Sequence, residues 1–165
     1  MIIILADLGS IRAFRVVANV NQTEVRPVLK EMEVAALPEP PQRLGETVSD
    51  QAGRFRSDGS PGAVSGEAHG LALEQERRCI VDLADAINSL VKSEGVEKWA
   101  LAAPQPINAR LVEALDSEVC DRLAQNLKTN LGKQSVLEIQ ERFDLRDRLS
   151  LFDHAVALSH RHGDE

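Results

Sequence analysis

MIIILADLGSIRAFRVVANV, residues 1–20, is the stretch on which the fold turns. Met1 to Ala6 is apolar on both alternating faces, the pattern of a strand covered on both sides and therefore interior to its sheet. Asp7 ends it and Leu8-Gly9-Ser10 supplies turn chemistry. Ile11 to Val20 then resumes as a second strand interrupted by Arg12 and Arg15, so a hairpin is predicted. Thr23 to Val34 reads as a third, more polar strand. Pro27 removes a backbone donor there, and Glu24, Arg26, Lys30, Glu31 and Glu33 discourage further pairing, which places this strand at an edge.

Downstream, the character changes. Residues 35–70 hold six of the ten glycines and four of the seven prolines, with no sustained periodicity, and read as one long loop. Connections in compact domains run to about 4–6 residues, so a loop this long is functional or disordered. Leu73, Ile80, Leu83, Ala84, Ile87, Leu90 and Val91 then follow helical spacing up to Gly95. Trp99 to Ala103 is a short apolar run closed by Pro104, as expected for a second interior strand reached by a helical crossover and parallel to the first. Pro106, Ile107, Leu111, Val112 and Leu115 predict the next helix.

Residues 122–131 alternate as a last strand. Ser135 with Glu138 forms a capping box for a short helix through Ile139 and Phe143. Asp144 is placed to cap a further helix, in which Leu145, Leu149, Phe152 and Val156 would form a narrow apolar seam. The prediction is an α/β fold with a mixed sheet of about five strands, β-β-β-α-β-α-β at its core, covered by helices. It forms one domain over residues 1–143, with a C-terminal helical extension over 144–165.

Composition narrows the function. The net charge of -7 repels polyphosphate, so nonspecific DNA binding is excluded as an expectation. Aromatic residues total 3% and tyrosine is absent, which weakens base-stacking recognition of RNA. Cys79 and Cys120 do not make a disulfide framework. The opening residues lack a basic segment and a long apolar run. No secretory signal or membrane span is therefore expected, and the location is read as cytoplasmic. No nucleophile elbow, phosphate-binding glycine loop, paired Cys-x-x-Cys or dinucleotide fingerprint is present; no catalytic residue, cofactor or metal is assigned.

Three places carry candidate site residues. In SDQAGRFRS, residues 49–57, an extended Arg54-Phe55-Arg56 would send both guanidinium groups to one side and the ring to the other. The arginines then either clasp a phosphate or carboxylate, with Asp50 and Ser57 beside them, or stay solvated or paired with Asp50 and Asp58. Asp7 at a strand end stands where α/β folds often put functional carboxylates; pairing with Arg12 across the turn is its structural alternative. Glu67 and His69, read as lying just before the long helix, would make an acid-base pair or part of a metal site, or else cap the helix or face water.

ADLGSIRAF (6–14), SDQAGRFRS (49–57) and LAAPQPINARLVEAL (101–115) resemble the bacterial host attachment protein family, whose members are designated as required for attachment to host cells. The family pattern is a first strand ending in Ala-Asp before an Arg-x-Phe, a mid-chain Gly-Arg-x-Phe-Ser-like loop, and an Ala-Pro-Pro strand end. Here the loop reads Gly53-Arg54-Phe55-Arg56-Ser57, one residue tighter, and the strand end Ala103-Pro104-Gln105-Pro106. The resemblance spans roughly residues 1–143. It extends to the middle domain of archaeal and eukaryotic peptide-release factors, whose catalytic loop carries Gly-Gly-Gln. This chain has no Gly-Gly pair and no glutamine between Ala52 and Gly70, so release chemistry does not carry over.

The resemblance implies a non-catalytic binding module working through residues 45–70. The alternatives are a translation-associated RNA- or ribosome-binding factor using Arg54, Arg56, Arg77 and Arg78, and a small phosphate or ester hydrolase using Asp7, Glu67 and His69. The partner is an unknown protein or RNA, and a homodimer through residues 145–160 is a further expectation.

Overall fold

The computed structural model describes residues 1–21, 24–34, 37 and 63–145. Strands β1 (Ile2–Asp7), β2 (Ser10–Asn21) and β3 (Glu24–Met32) precede helix α1 (Ala63–Glu94). Then come β4 (Trp99–Ala102), α2 (Gln105–Ala114), α3 (Ser117–Asp121), β5 (Leu123–Leu127) and α4 (Val136–Arg142). The sheet order is β3-β2-β1-β4-β5. Its first two pairings are antiparallel and its last two parallel, so the fold is the expected mixed α/β sheet, with β1 at the centre and β3 at an edge.

β1 divides its side chains between two cores. Ile2, Ile4 and Ala6 pack with Ile80, Leu83 and Ile87 of α1 and Ile107 and Leu111 of α2. Ile3 and Leu5 point the other way, onto Phe14, Leu29, Ile139 and Phe143. β4 repeats the alternation: Trp99 and Leu101 join the α1 side, Ala100 and Ala102 the α4 side. The indole of Trp99 is fully buried and donates to the Val119 carbonyl at 2.8 Å, which satisfies its only polar atom. The β1–β2 turn needs φ > 0 at its second position, and Gly9 supplies +80° there.

Several boundaries differ from the sequence reading. α1 begins at Ala63, so the loop predicted through Gly70 is helical over its last eight residues. Gly66 and Gly70 read as punctuation, yet glycine costs a helix only about 1 kcal/mol against alanine, which a long packed helix absorbs. β5 is confined to Leu123–Leu127, with an irregularity between Trp99 and Ala100 of its partner. α3 is too short for periodicity to reveal. The helix predicted to follow Asp144 lies outside the described residues. Asp144 itself adopts φ +52° and terminates α4: its N–H reaches the Glu141 carbonyl (3.1 Å), the Leu145 N–H reaches that of Gln140 (3.1 Å), and Leu145 packs in the same core as Ile139. This is a Schellman stop.

Leu73 lies on the predicted stripe but is 50% exposed, and the first buried member of that stripe is Ile80. None of residues 70–79 is buried, so roughly 15 Å of α1 runs past its packing surface. Among the described residues no helix is long and apolar enough to cross a membrane. The seam positions Leu149, Phe152 and Val156 lie outside the described residues. Leu83→Ala is expected to cost about 2–5 kcal/mol in urea unfolding, whereas Leu73→Ala on the same helix should cost less than about 1 kcal/mol. Equal losses would contradict this packing.

Candidate contact surface at the carboxyl edge of the sheet

β1, β3, β4 and β5 run in one direction, so all four end at the same edge. The β1–β2 turn, the segment after β3, Pro104 with the start of α2, and the connection 128–135 all arise there. α1 also begins beyond this edge, because it runs back along the sheet to deliver β4. Loops at the carboxyl ends of parallel strands are where open α/β sheets place their ligands. Val34 and Leu37, after β3, pack half-buried on the α1-side core.

The connection 128–135 is strapped across the β1–β2 hairpin by both polar residues that the sequence singled out there. The Asp7 carboxylate accepts from the Leu8 N–H (2.8 Å) and from Asn130 Nδ2 (2.6 Å). Arg12 donates Nη1 to the carbonyls of Gly132 (2.9 Å) and Gln134 (3.4 Å), and Nε to Glu31 Oε1 (2.8 Å); its guanidinium lies 5.0 Å over the Phe14 ring. Leu131, between these anchors, is buried in the α4-side core. The predicted Asp7–Arg12 pair is therefore replaced by other partners. Register explains this: Arg12 stands opposite Leu5 while Ser10 stands opposite Asp7, which brings the guanidinium within reach of Glu31 on β3.

Charge follows the contacts. The hydrogen bond from Arg12, reinforced by its charge, holds the Glu31 carboxyl below its ordinary value. The predicted capping box is present. Glu138 Oε2 accepts from the backbone N–H and the hydroxyl of Ser135, both at 2.8 Å, which lowers the Glu138 pKa.

Two features escaped the sequence reading. Asn108 in α2, only 1% exposed, exchanges reciprocal amide bonds of 2.8 and 2.9 Å with Asn126 of β5. The available signal was a polar residue inside the Ile107–Leu111 stripe, where a buried amide requires a partner. An ion pair between Glu76 and Arg110 ties the unburied run of α1 to α2. Arg77 and Arg78 next to it are exposed, with Arg77 4.0 Å from Glu74.

Glu67 and His69 are not in a preceding loop. They lie within the opening turns of α1. Asp50, Arg54, Phe55, Arg56 and Ser57 lie outside the described residues. Among the described residues no group of three His, Cys, Asp or Glu side chains is placed to hold a metal ion.

Fold and edge together define a single-sheet α/β protein whose connections converge on one rim. The family model described as "protein required for attachment to host cells" matches residues 2–143, and the chain belongs to that family. No curated protein matches it.

Glu31 also sets a pH expectation. A folded-state pKa below the unfolded one stabilises above the unfolded value, and this contribution is lost as pH falls through the folded pKa. Arg12→Ala should therefore raise the Glu31 pKa toward its ordinary value by NMR titration. It should also cost roughly 1–3 kcal/mol near neutrality through lost charged hydrogen bonds, with the gap narrowing in acid. An unmoved Glu31 would contradict the pairing.

Proposed function

We propose that this member of the attachment family is a non-catalytic binding module that contacts a protein partner through the carboxyl edge and residues 45–70. The observation that carries the reading is the commitment of Asp7 and Arg12. Both are spent on hydrogen bonds that fix the 128–135 connection, so the edge is a rigid platform rather than a pair of groups held ready for chemistry. The ends of the 35–62 segment, after β3 and before α1, flank that platform. Partner surfaces combine exposed apolar groups with arginine. Leu71, Leu73, Arg77 and Arg78 on the unburied run of α1 supply that mixture.

The exposure of Arg77 and Arg78 favours one second reading, a translation-associated factor that approaches ribosomal RNA through them together with Arg54 and Arg56. The arginines would then meet phosphate, and affinity would fall steeply with salt.

The test is cross-linking capture from a lysate of the source cells, comparing the unmodified chain with Arg54→Ala plus Arg56→Ala. The binding-module reading expects a discrete protein partner that the double substitution weakens by about tenfold or more and that persists at moderate salt, with no turnover of generic phosphoesters. Ribosome co-sedimentation abolished by salt and by the same substitutions supports the second reading instead. Phosphoester turnover lost on His69→Ala overturns both. An identical captured set from the two proteins removes residues 45–70 from the contact surface.

A further inference from the structure

The two edges of the sheet are finished differently. β3 carries Pro27 and a run of charged residues, the devices that keep an edge from pairing. β5 bounds the other side, and among the described residues it pairs with β4 alone. Its five residues, Leu-Ala-Gln-Asn-Leu, contain no charge and no proline. Short length and the irregularity opposite Trp99 and Ala100 are all that blunt it.

Half of the β5 backbone is used by β4. The Arg122 carbonyl accepts from the Trp99 N–H (3.0 Å) and the Leu127 carbonyl from the Ala103 N–H (3.1 Å). Backbone groups alternate in direction along a strand, so Leu123 and Asn126, in register with Trp99 and Leu101, turn their N–H and C=O away from β4. Unpaired groups of this kind are a template for a further strand.

The ends of β5 carry opposite charge. Before it, Asp121 is exposed and forms no ion pair among the described residues, while its neighbour Arg122 is taken up by Glu118 and the Val96 carbonyl. Asp121 closes α3, where the carbonyl end of a helix disfavours an acid. After β5, Lys128 is exposed and likewise has no ion pair among the described residues.

We propose that β5 pairs antiparallel with β5 of a second copy across a two-fold axis, so that one sheet runs through both molecules. With Asn126 opposite the partner's Leu123, the outward backbone groups meet reciprocally, and Lys128 comes beside the partner's Asp121 at each end of the contact. The occupant is a second copy because an uncharged strand with an acid at one end and a cation at the other is the complement of its own antiparallel image. An edge contact of five residues is small beside the interface of a permanent dimer, so the association is reversible and depends on concentration. It lies at the side of the sheet and does not rest on the partner read at the carboxyl edge.

Sedimentation velocity of the full chain from about 1 μM to about 300 μM tests it, with Asp121→Lys, Lys128→Glu and the two together as variants. The unmodified protein should dimerise as concentration rises, and the amides of Leu123 and Asn126 should gain hydrogen-exchange protection as it does. Either single reversal sets like charges against each other and should weaken the dimer by about tenfold or more. The double variant exchanges the two signs and should restore it, which excludes misfolding as the cause of the single losses. A monomer throughout the range overturns the proposal, and so does a double variant that stays as weak as the single ones. A dimer indifferent to the single reversals also overturns it, assigning association to another surface such as residues 145–160.

Discussion

The structure depends on one constraint, the burial of β1 on both faces. Ile2 to Ala6 leave no side for water, so the strand must have neighbours at both edges and packed layers above and below. The β2 hairpin satisfies one edge. The other is satisfied by β4, which must be parallel because it returns through α1. Ile2, Ile3, Ile4 and Leu5, at roughly 1.5–3 kcal/mol each, supply ~6–12 kcal/mol of gross burial. That is comparable to the whole net stability of a domain, about 5–15 kcal/mol. β1 is therefore not an element that can come loose locally.

From that constraint follows the position of the carboxyl edge. β1 ends at the same edge as β3, β4 and β5, which run in its direction, and the connections after all four are gathered there. Asp7 and Arg12 then act as fasteners. Each reaches more than a hundred residues along the chain to the 128–135 connection, where Leu131 is driven into the α4-side core between them. Hydrogen bonding sets the geometry of this rim and apolar burial holds it closed.

The strand pattern was legible because burial on both faces leaves short continuous apolar runs in MIIILA and WALAA, each closed by a strand-ending residue, and the β3 edge because Pro27 and its charged neighbours announce it. The capping box of Ser135 and Glu138 was legible for a local reason, since both partners lie within one turn. What failed was non-local. Helical spacing put Leu73 on the correct face of α1, but periodicity cannot say whether anything sits opposite. Glycine chemistry at Gly66 and Gly70 suggested a loop, whereas the helix already begins at Ala63 and tolerates both at about 1 kcal/mol each. Asp7 and Arg12 were read as partners of each other across the turn, whereas their actual partners Asn130, Glu31, Gly132 and Gln134 follow from sheet register and from the path of a distant connection, which no local pattern encodes. The Asn108–Asn126 pair was invisible for the same reason.

Native-state hydrogen exchange measured amide by amide tests the central claim most directly. The account predicts that Ile3, Ile4 and Leu5 exchange only through global opening, with free energies equal to that from urea unfolding, while the amides at the start of α1 open at far lower cost. Exchange of β1 through a local opening well below global stability would contradict it, because the strand would then not be the element on which both cores rest.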